Sequence, residues 1–169
     1  MTTNMKLKGL FLGFTLMTAT YVTAQTSLDT STEIETLNQK IVTNPNDTEA
    51  LVGLATAYQN ASDWSSAIST WNRITAILPD WAPAYYSIGY AQQSANNNAG
   101  AKQAYEQYIT KVKPEEVDAS KQNLAYAYYF IAFQDKDSDK EKAKEYIAKS
   151  LQYDGSNQEA LALSKALMN

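Results

Sequence analysis

Three pairs of adjacent residues, each an aliphatic side chain followed by a small one, recur at nearly constant spacing. The pairs are Leu54 with Ala55, Ile88 with Gly89, and Leu124 with Ala125, and the steps between them are 34 and 36 residues. Around the first pair, apolar side chains recur at the spacing of one helix face. Self-similarity at such a period indicates units that bury their apolar faces against one another. The chain is therefore expected to fold as a row of stacked helix pairs.

The second helix of each unit is marked by an alanine and, in the first two units, by a closing proline. Ala67 and Ala101 lie 34 residues apart, whereas Ala143 follows 42 residues after Ala101. Two of the additional residues precede the first helix of the third unit, so the other six lie between its two helices. We expect that first helix to be longer by about one to two turns. A charged loop at residues 134–139 should follow it.

The recurring letters resemble the tetratricopeptide repeat, whose pattern includes Leu-Gly, a tyrosine, a small alanine, an aromatic residue and a closing proline. The first unit carries Tyr58, Trp71 and Pro79 at the matching places. The second unit departs from the pattern, because Gln92 stands at the tyrosine place and three asparagines at 96–98 replace the usual tight turn. The resemblance implies an all-α solenoid of stacked antiparallel helix hairpins.

The resemblance also implies helices at both ends of three repeats. The predicted boundaries are 33–45 for an N-terminal packing helix, 46–79, 80–114 and 115–154 for the repeats, and 155–169 for a C-terminal capping helix. An irregular helical bundle is compatible with the same apolar stripes. The recurring small residues favour the solenoid.

Residues 1–24 have the features of a secretory signal peptide. Lys6 and Lys8 precede an apolar run at residues 9–17, and small residues end the segment. The run is shorter than the about 20 apolar residues that a membrane span needs. We therefore predict cleavage, no stable membrane span, and export to the periplasm or the extracellular space. Residues 25–32 are expected to form a polar linker.

Composition excludes several classes of site. The chain has neither cysteine nor histidine, which excludes disulfides, thiolate zinc sites and histidine-based catalysis. The net charge of −4 and the lack of a basic stripe argue against nucleic acid as a partner. Residues 135–139 alternate aspartates like the start of a calcium loop, but Lys140 replaces its turn glycine and Tyr146 its closing glutamate. We expect a non-catalytic protein with no cofactor and no metal site.

The first helices of tetratricopeptide repeats line a concave groove that receives a peptide or a partner's helix. In this sequence the corresponding faces carry aromatic and amide side chains: Val52, Thr56, Gln59, Asn60, Tyr86, Tyr90, Gln93, Gln122, Tyr126, Tyr129 and Phe130. Tyrosine and glutamine pack on apolar groups while hydrogen-bonding a peptide backbone. We predict that the groove binds a protein or peptide of the cell envelope. Because these faces lack lysine, the groove differs from the chaperone-adaptor type, which grips a C-terminal carboxylate.

Three alternatives remain open at this stage. The same tyrosines would stack on sugar rings, so the groove could serve as a glycan-binding module. Residues 129–133 could join two copies of the chain in a homodimer. Each tyrosine, taken singly, is more commonly an internal packing residue than a contact for a partner.

Overall fold

The structure is a computed structural model that describes residues 22–168, with side chains from residue 30 onward. Apart from residues 22–24, the predicted signal peptide lies outside the described residues. The regular elements of the described part are eight α-helices and a short 3-10 helix at Pro114–Glu116. The α-helices are α1 (Val22–Thr43), α2 (Thr48–Asn60), α3 (Trp64–Ile77), α4 (Ala82–Ser94), α5 (Asn98–Lys111), α6 (Val117–Asp135), α7 (Lys140–Tyr153) and α8 (Gln158–Met168).

Each helix packs mainly against its neighbours along the chain, so the helices form a row. The hairpins are α2 with α3, α4 with α5, and α6 with α7, while α1 packs on α2 and α8 packs on α7. Three apolar clusters follow one another along this row. The prediction of an all-α solenoid is confirmed. Between residues 22 and 168, no helix has the length and apolar character needed to cross a membrane.

Side-chain oxygens cap the helices by accepting hydrogen bonds from the backbone N–H three residues on. The caps are Asp47 to Ala50 (3.0 Å), Asp63 to Ser66 (3.1 Å), Asn97 to Gly100 (3.1 Å), Asp139 to Lys142 (3.1 Å) and Asn157 to Ala160 (2.9 Å). Such a cap typically contributes about 1 kcal/mol. Ser62 and Asn96 take left-handed φ angles of 58° and 59° at matching places. The asparagine-rich turn of the second repeat is therefore as tight as the turn of the first.

Small residues lie where the two helices of each hairpin cross. Ala55, Gly89 and Ala125 are all buried. The closest approach is at Gly89, where a Cβ atom would lie 2.6 Å from Cε1 of Tyr105. In the third hairpin the Ser150 hydroxyl donates a hydrogen bond to the Ala125 carbonyl at 2.8 Å. These crossings explain why each repeat keeps alanine or glycine at this place.

The third repeat is longer than the others, as its spacing predicts. α6 contains 19 residues, whereas α2 and α4 contain 13 each, so the predicted lengthening is confirmed. The loop is shorter than predicted, because α6 runs to Asp135 and the loop covers only residues 136–139. The Asp135 carbonyl accepts hydrogen bonds from the N–H groups of Ser138 (3.1 Å) and Asp139 (2.8 Å), which continues the helical turn to this point.

The N-terminal helix is also longer than predicted. Residues 25–32, expected to form a linker, belong to α1. Neither glycine nor proline interrupts α1, so the polar composition of this stretch does not stop the helix. Ile34, Leu37 and Ile41 pack on the first apolar cluster, as their helical spacing indicates.

A buried carboxylate fixes the end of α6 between α5 and α7. Asp135 is only 4% exposed and forms ion pairs with Lys102 and, at 3.6 Å, with Lys142. Lys142 also pairs with Glu106 at 2.9 Å. The first carboxylate of the calcium-like sequence is therefore held by two lysines. Among the described residues, no group of three acidic side chains is placed to hold a metal ion.

We expect Asp135→Asn to lower the free energy of unfolding by about 1–2 kcal/mol, because it removes a buried charge while its lysine partners stay partly solvated. Urea denaturation followed by circular dichroism measures this loss. Asp137→Asn, in the exposed loop, is the matched control and should have almost no effect. Equal stability of the two variants would contradict a stabilising role for the pairing.

Candidate functional site: an aromatic groove

The predicted groove residues lie on three successive first helices, α2, α4 and α6, but differ in exposure. The exposed ones are Thr56, Asn60, Tyr90 and Gln122. The half-buried ones are Val52, Gln59, Tyr86, Gln93, Tyr126 and Tyr129. Phe130 is buried. The structure therefore brings together a set of partly accessible aromatic and amide side chains, centred on α4.

Four tyrosines converge on Gln93, and we call Tyr86, Tyr90, Tyr105 and Tyr126 the tyrosine cluster. Tyr105 meets Tyr86 and Tyr126 edge to face, with ring centroids 5.4 Å and 5.8 Å apart. The Gln93 Oε1 atom accepts hydrogen bonds from the hydroxyls of Tyr126 at 2.9 Å and Tyr105 at 3.3 Å. These bonds tie α4 to both α5 and α6 and fix the Gln93 side chain.

The phenols of the tyrosine cluster stay neutral. Burial raises the pKa of Tyr86 to about 12, and the nearby phenols of Tyr126, Tyr108 and Tyr90 raise it further. Burial, followed by its tyrosine neighbours, also raises the pKa of Tyr105. The cluster therefore presents hydroxyl groups and ring surfaces without charge across the physiological pH range.

The first and second repeats share one polar contact between their two helices. In the first repeat the indole Nε1–H of Trp71 donates to Gln59 Oε1 at 2.8 Å. In the second, Tyr105 and Gln93 make the equivalent contact, each 34 residues further along. Because an indole N–H can only donate, the Gln59 atom it meets is the amide oxygen. Both glutamines thus use their carbonyl oxygen internally.

A second helix also contributes to the groove, which the sequence reasoning missed. Trp64, the first residue of α3, packs edge to face on Tyr90 with ring centroids 6.0 Å apart. Tyr90 remains 48% exposed. The apolar spacing assigned Trp64 to the core stripe of α3, and the same spacing assigned Tyr105 to the core stripe of α5. No motif marks Trp64, but its place directly after the cap of α3 indicates the end of a hairpin where a side chain can reach the groove.

Phe130 lies beneath the groove and does not line it. Its ring is 5.2 Å from that of Tyr105 and 6.4 Å from that of Tyr126, within the second apolar cluster. The wide apolar face of α6 turns it inward toward α5. The exposed aromatic residue of this segment is Phe133, at 43% exposure, with the Lys136 ammonium 3.9 Å above its ring.

Tyr129 lies at the C-terminal edge of the groove. It packs half-buried against the third apolar cluster, which includes residues of α8. Burial raises the pKa of Tyr129, and the charge of Glu159 on α8 raises it further. Rings continue from Tyr126 to Tyr129 and on to Phe133, at 6.4 Å and 6.2 Å. The aromatic surface therefore runs from the second hairpin to the last helix.

Comparisons with known proteins agree with this architecture. The sequence profile of the tetratricopeptide repeat matches residues 83–112. The C-terminal part of a tetratricopeptide repeat-containing protein from Cytophaga hutchinsonii superposes with a TM-score of 0.68 at 22% identity, over 77% of this chain. The chain has the tetratricopeptide repeat fold. It spans about half, 52%, of the Cytophaga structure.

Two structures of MamA are also similar to this tetratricopeptide repeat chain. One has a TM-score of 0.61 at 20% identity, over 86% of this chain and 91% of MamA. The other has a TM-score of 0.63 at 19% identity, over 87% and 81%. At these identities the similarity concerns the fold. A search of curated proteins finds no match.

Proposed function

We propose that this chain is a non-catalytic scaffold that binds a protein or peptide in the aromatic groove, and that it works in the cell envelope or outside the cell. Proteins with the tetratricopeptide repeat fold act in general as scaffolds for protein–protein interaction. The observation that carries the proposal is the tyrosine cluster around Gln93, which leaves Tyr90 half exposed. Aromatic anchors of this kind dominate the binding energy of protein interfaces.

The groove is organised before a partner arrives. Gln93 is held by two tyrosine hydroxyls, and Tyr90 is held against Trp64. Ordering a free side chain at an interface costs about 0.5–1.5 kcal/mol. Because these side chains are already fixed, a partner need not supply that free energy.

A non-catalytic role agrees with the chemistry of the groove. The chain has no histidine and no cysteine, and the phenols of the tyrosine cluster stay neutral. Tetratricopeptide repeats are generally non-catalytic. Export is proposed from the signal-like residues 1–24, whose basic start and apolar run precede small residues.

Photocrosslinking tests the site. With p-benzoylphenylalanine in place of Tyr90, we expect irradiation of intact cells to yield a covalent adduct with one protein. The same reagent in place of Gln103, which is exposed on α5, is the control and should yield no such adduct. The adduct should weaken in a Tyr126→Ala background, because Tyr126 supports Gln93.

Other outcomes of this experiment would overturn the proposal. Adducts formed only from position 103 would place the partner on another face. Adducts that contain two copies of this chain, and that Phe133→Glu abolishes, would identify self-association instead. Retention on a polysaccharide column that is lost with Tyr90→Ala, with no protein adduct, would identify a glycan-binding module.

A further inference from the structure

We infer that the segment bound in the aromatic groove is a proline-rich one in the extended polyproline conformation. This inference rests on the proposed function and adds the chemistry of the partner. Its basis is the kind of polar group that the groove leaves open, together with the lack of charge around it.

The open polar groups with a fixed role are donors. Gln59 and Gln93 use their amide oxygens internally, so each retains an NH₂ group. These nitrogens, and the indole nitrogen of Trp64, make no hydrogen bond within residues 30–168 and are not shut off from solvent. Amide NH₂ and indole N–H groups can donate but not accept. The groove therefore favours a ligand that is rich in acceptors.

A proline-rich segment has that chemistry. Each proline has a carbonyl acceptor but no N–H donor. In the polyproline conformation the carbonyls make no internal hydrogen bonds and remain open to a partner. Such a segment is also extended before it binds, which reduces the entropy lost on association.

The ring surfaces of the groove suit proline side chains. Tyr90 and Trp64 meet edge to face, so they present two ring faces at an angle next to Gln93, one helical turn from Tyr90. Aromatic-lined grooves with nearby donors are the general mode by which proline-rich segments are recognised. A proline ring is flat and apolar enough to pack on either face.

Charge argues against the other classes of ligand. α4, at the centre of the groove, carries no charged residue. Lys102 and Lys142, on the second helices, are paired with Asp135 and Glu106. An acidic peptide or a terminal carboxylate would therefore lack a cation. Sugar hydroxyls need acceptors as well as donors, and the two fixed amide oxygens are already occupied.

Calorimetric titration with synthetic ligands tests the inference. The probe is an uncharged oligoproline of about nine residues, or three turns of polyproline helix. A glycine–serine peptide of equal length and a xylan oligosaccharide are the comparison ligands. We expect the purified chain to bind the oligoproline at least about tenfold more tightly than either comparison ligand.

The decisive variant is Gln93→Glu, which keeps an acceptor for Tyr105 and Tyr126 but replaces the NH₂ donor by an oxygen. We expect it to lose oligoproline binding by about tenfold or more, with unchanged helicity. Gln103→Glu makes the same charge change on the exposed face of α5 and should bind like the original. Trp64→Phe, which keeps a ring but removes the indole N–H, should weaken binding to a smaller extent.

Binding of the oligoproline that Gln93→Glu leaves intact would overturn the donor argument. Tighter binding of the glycine–serine peptide or of the xylan would overturn the ligand class. A protein adduct at position 90 together with no oligoproline binding would leave the scaffold function standing and sink only this inference. Absence of both would remove the two together.

Discussion

Replacing Tyr105 by alanine is expected to lower the free energy of unfolding by about 3–5 kcal/mol, the range for truncating a buried aromatic side chain. Tyr105 is fully buried and its ring contacts those of Tyr86, Tyr126 and Phe130. Its loss leaves a cavity where α4, α5 and α6 meet. Urea denaturation followed by circular dichroism measures the change in stability.

Tyr105→Phe is the control for this substitution. It keeps the ring contacts and removes only the 3.3 Å hydrogen bond to Gln93, so a loss of at most about 1 kcal/mol is expected. A Tyr105→Ala variant as stable as Tyr105→Phe would show that the ring does not hold the second and third hairpins together.

Gly89→Val is expected to destabilise the protein by about 3 kcal/mol, near the upper end of the range for overpacked cores. A Cβ atom at Gly89 would lie between 2.6 and 2.9 Å from three atoms of the Tyr105 ring. Tyr86 and Phe130 confine that ring, so it has no space to move. Thermal and urea unfolding should both report the loss.

Gly53→Val provides the matched control. A Cβ atom there would lie 3.2 Å from the Leu37 side chain, which belongs to the half-buried face of α1 and can shift. We expect a change below about 1 kcal/mol, since flexible neighbours relieve small overlaps. If Gly53→Val proved as damaging as Gly89→Val, the crossing at Gly89 would not be special.

The arrangement of the hairpins was predictable from spacing. The step of 34 residues located the crossing residues of the first two repeats, and the six additional residues of the third appear as the additional turns of α6. Local chemistry was harder to resolve between adjacent candidates. Among the neighbouring polar residues at the start of each helix, the structure selects Asp139 and Asn157 as caps. Sequence neighbours such as Ser138 have equally suitable oxygens, so only the backbone angles decide.

The groove was predictable in position but not in exposure. Helical spacing places Tyr126 and Phe130 on one face of α6, yet Phe130 is buried whereas Tyr126 is half-buried. The face of a helix inside a solenoid contacts two neighbours, and their side chains decide which ring turns inward. The role of Gln93 depends on Tyr105 of the adjacent helix, a contact that no local pattern encodes.

The glutamine contacts of the first two hairpins have a consequence for building longer proteins. Because Trp71 with Gln59 and Tyr105 with Gln93 repeat at the same step, each hairpin contains its own clasp. Duplicating one 34-residue module should therefore add a rung without redesign of its neighbours. The reach of the protein along an elongated target would then grow in fixed increments, as a ruler does.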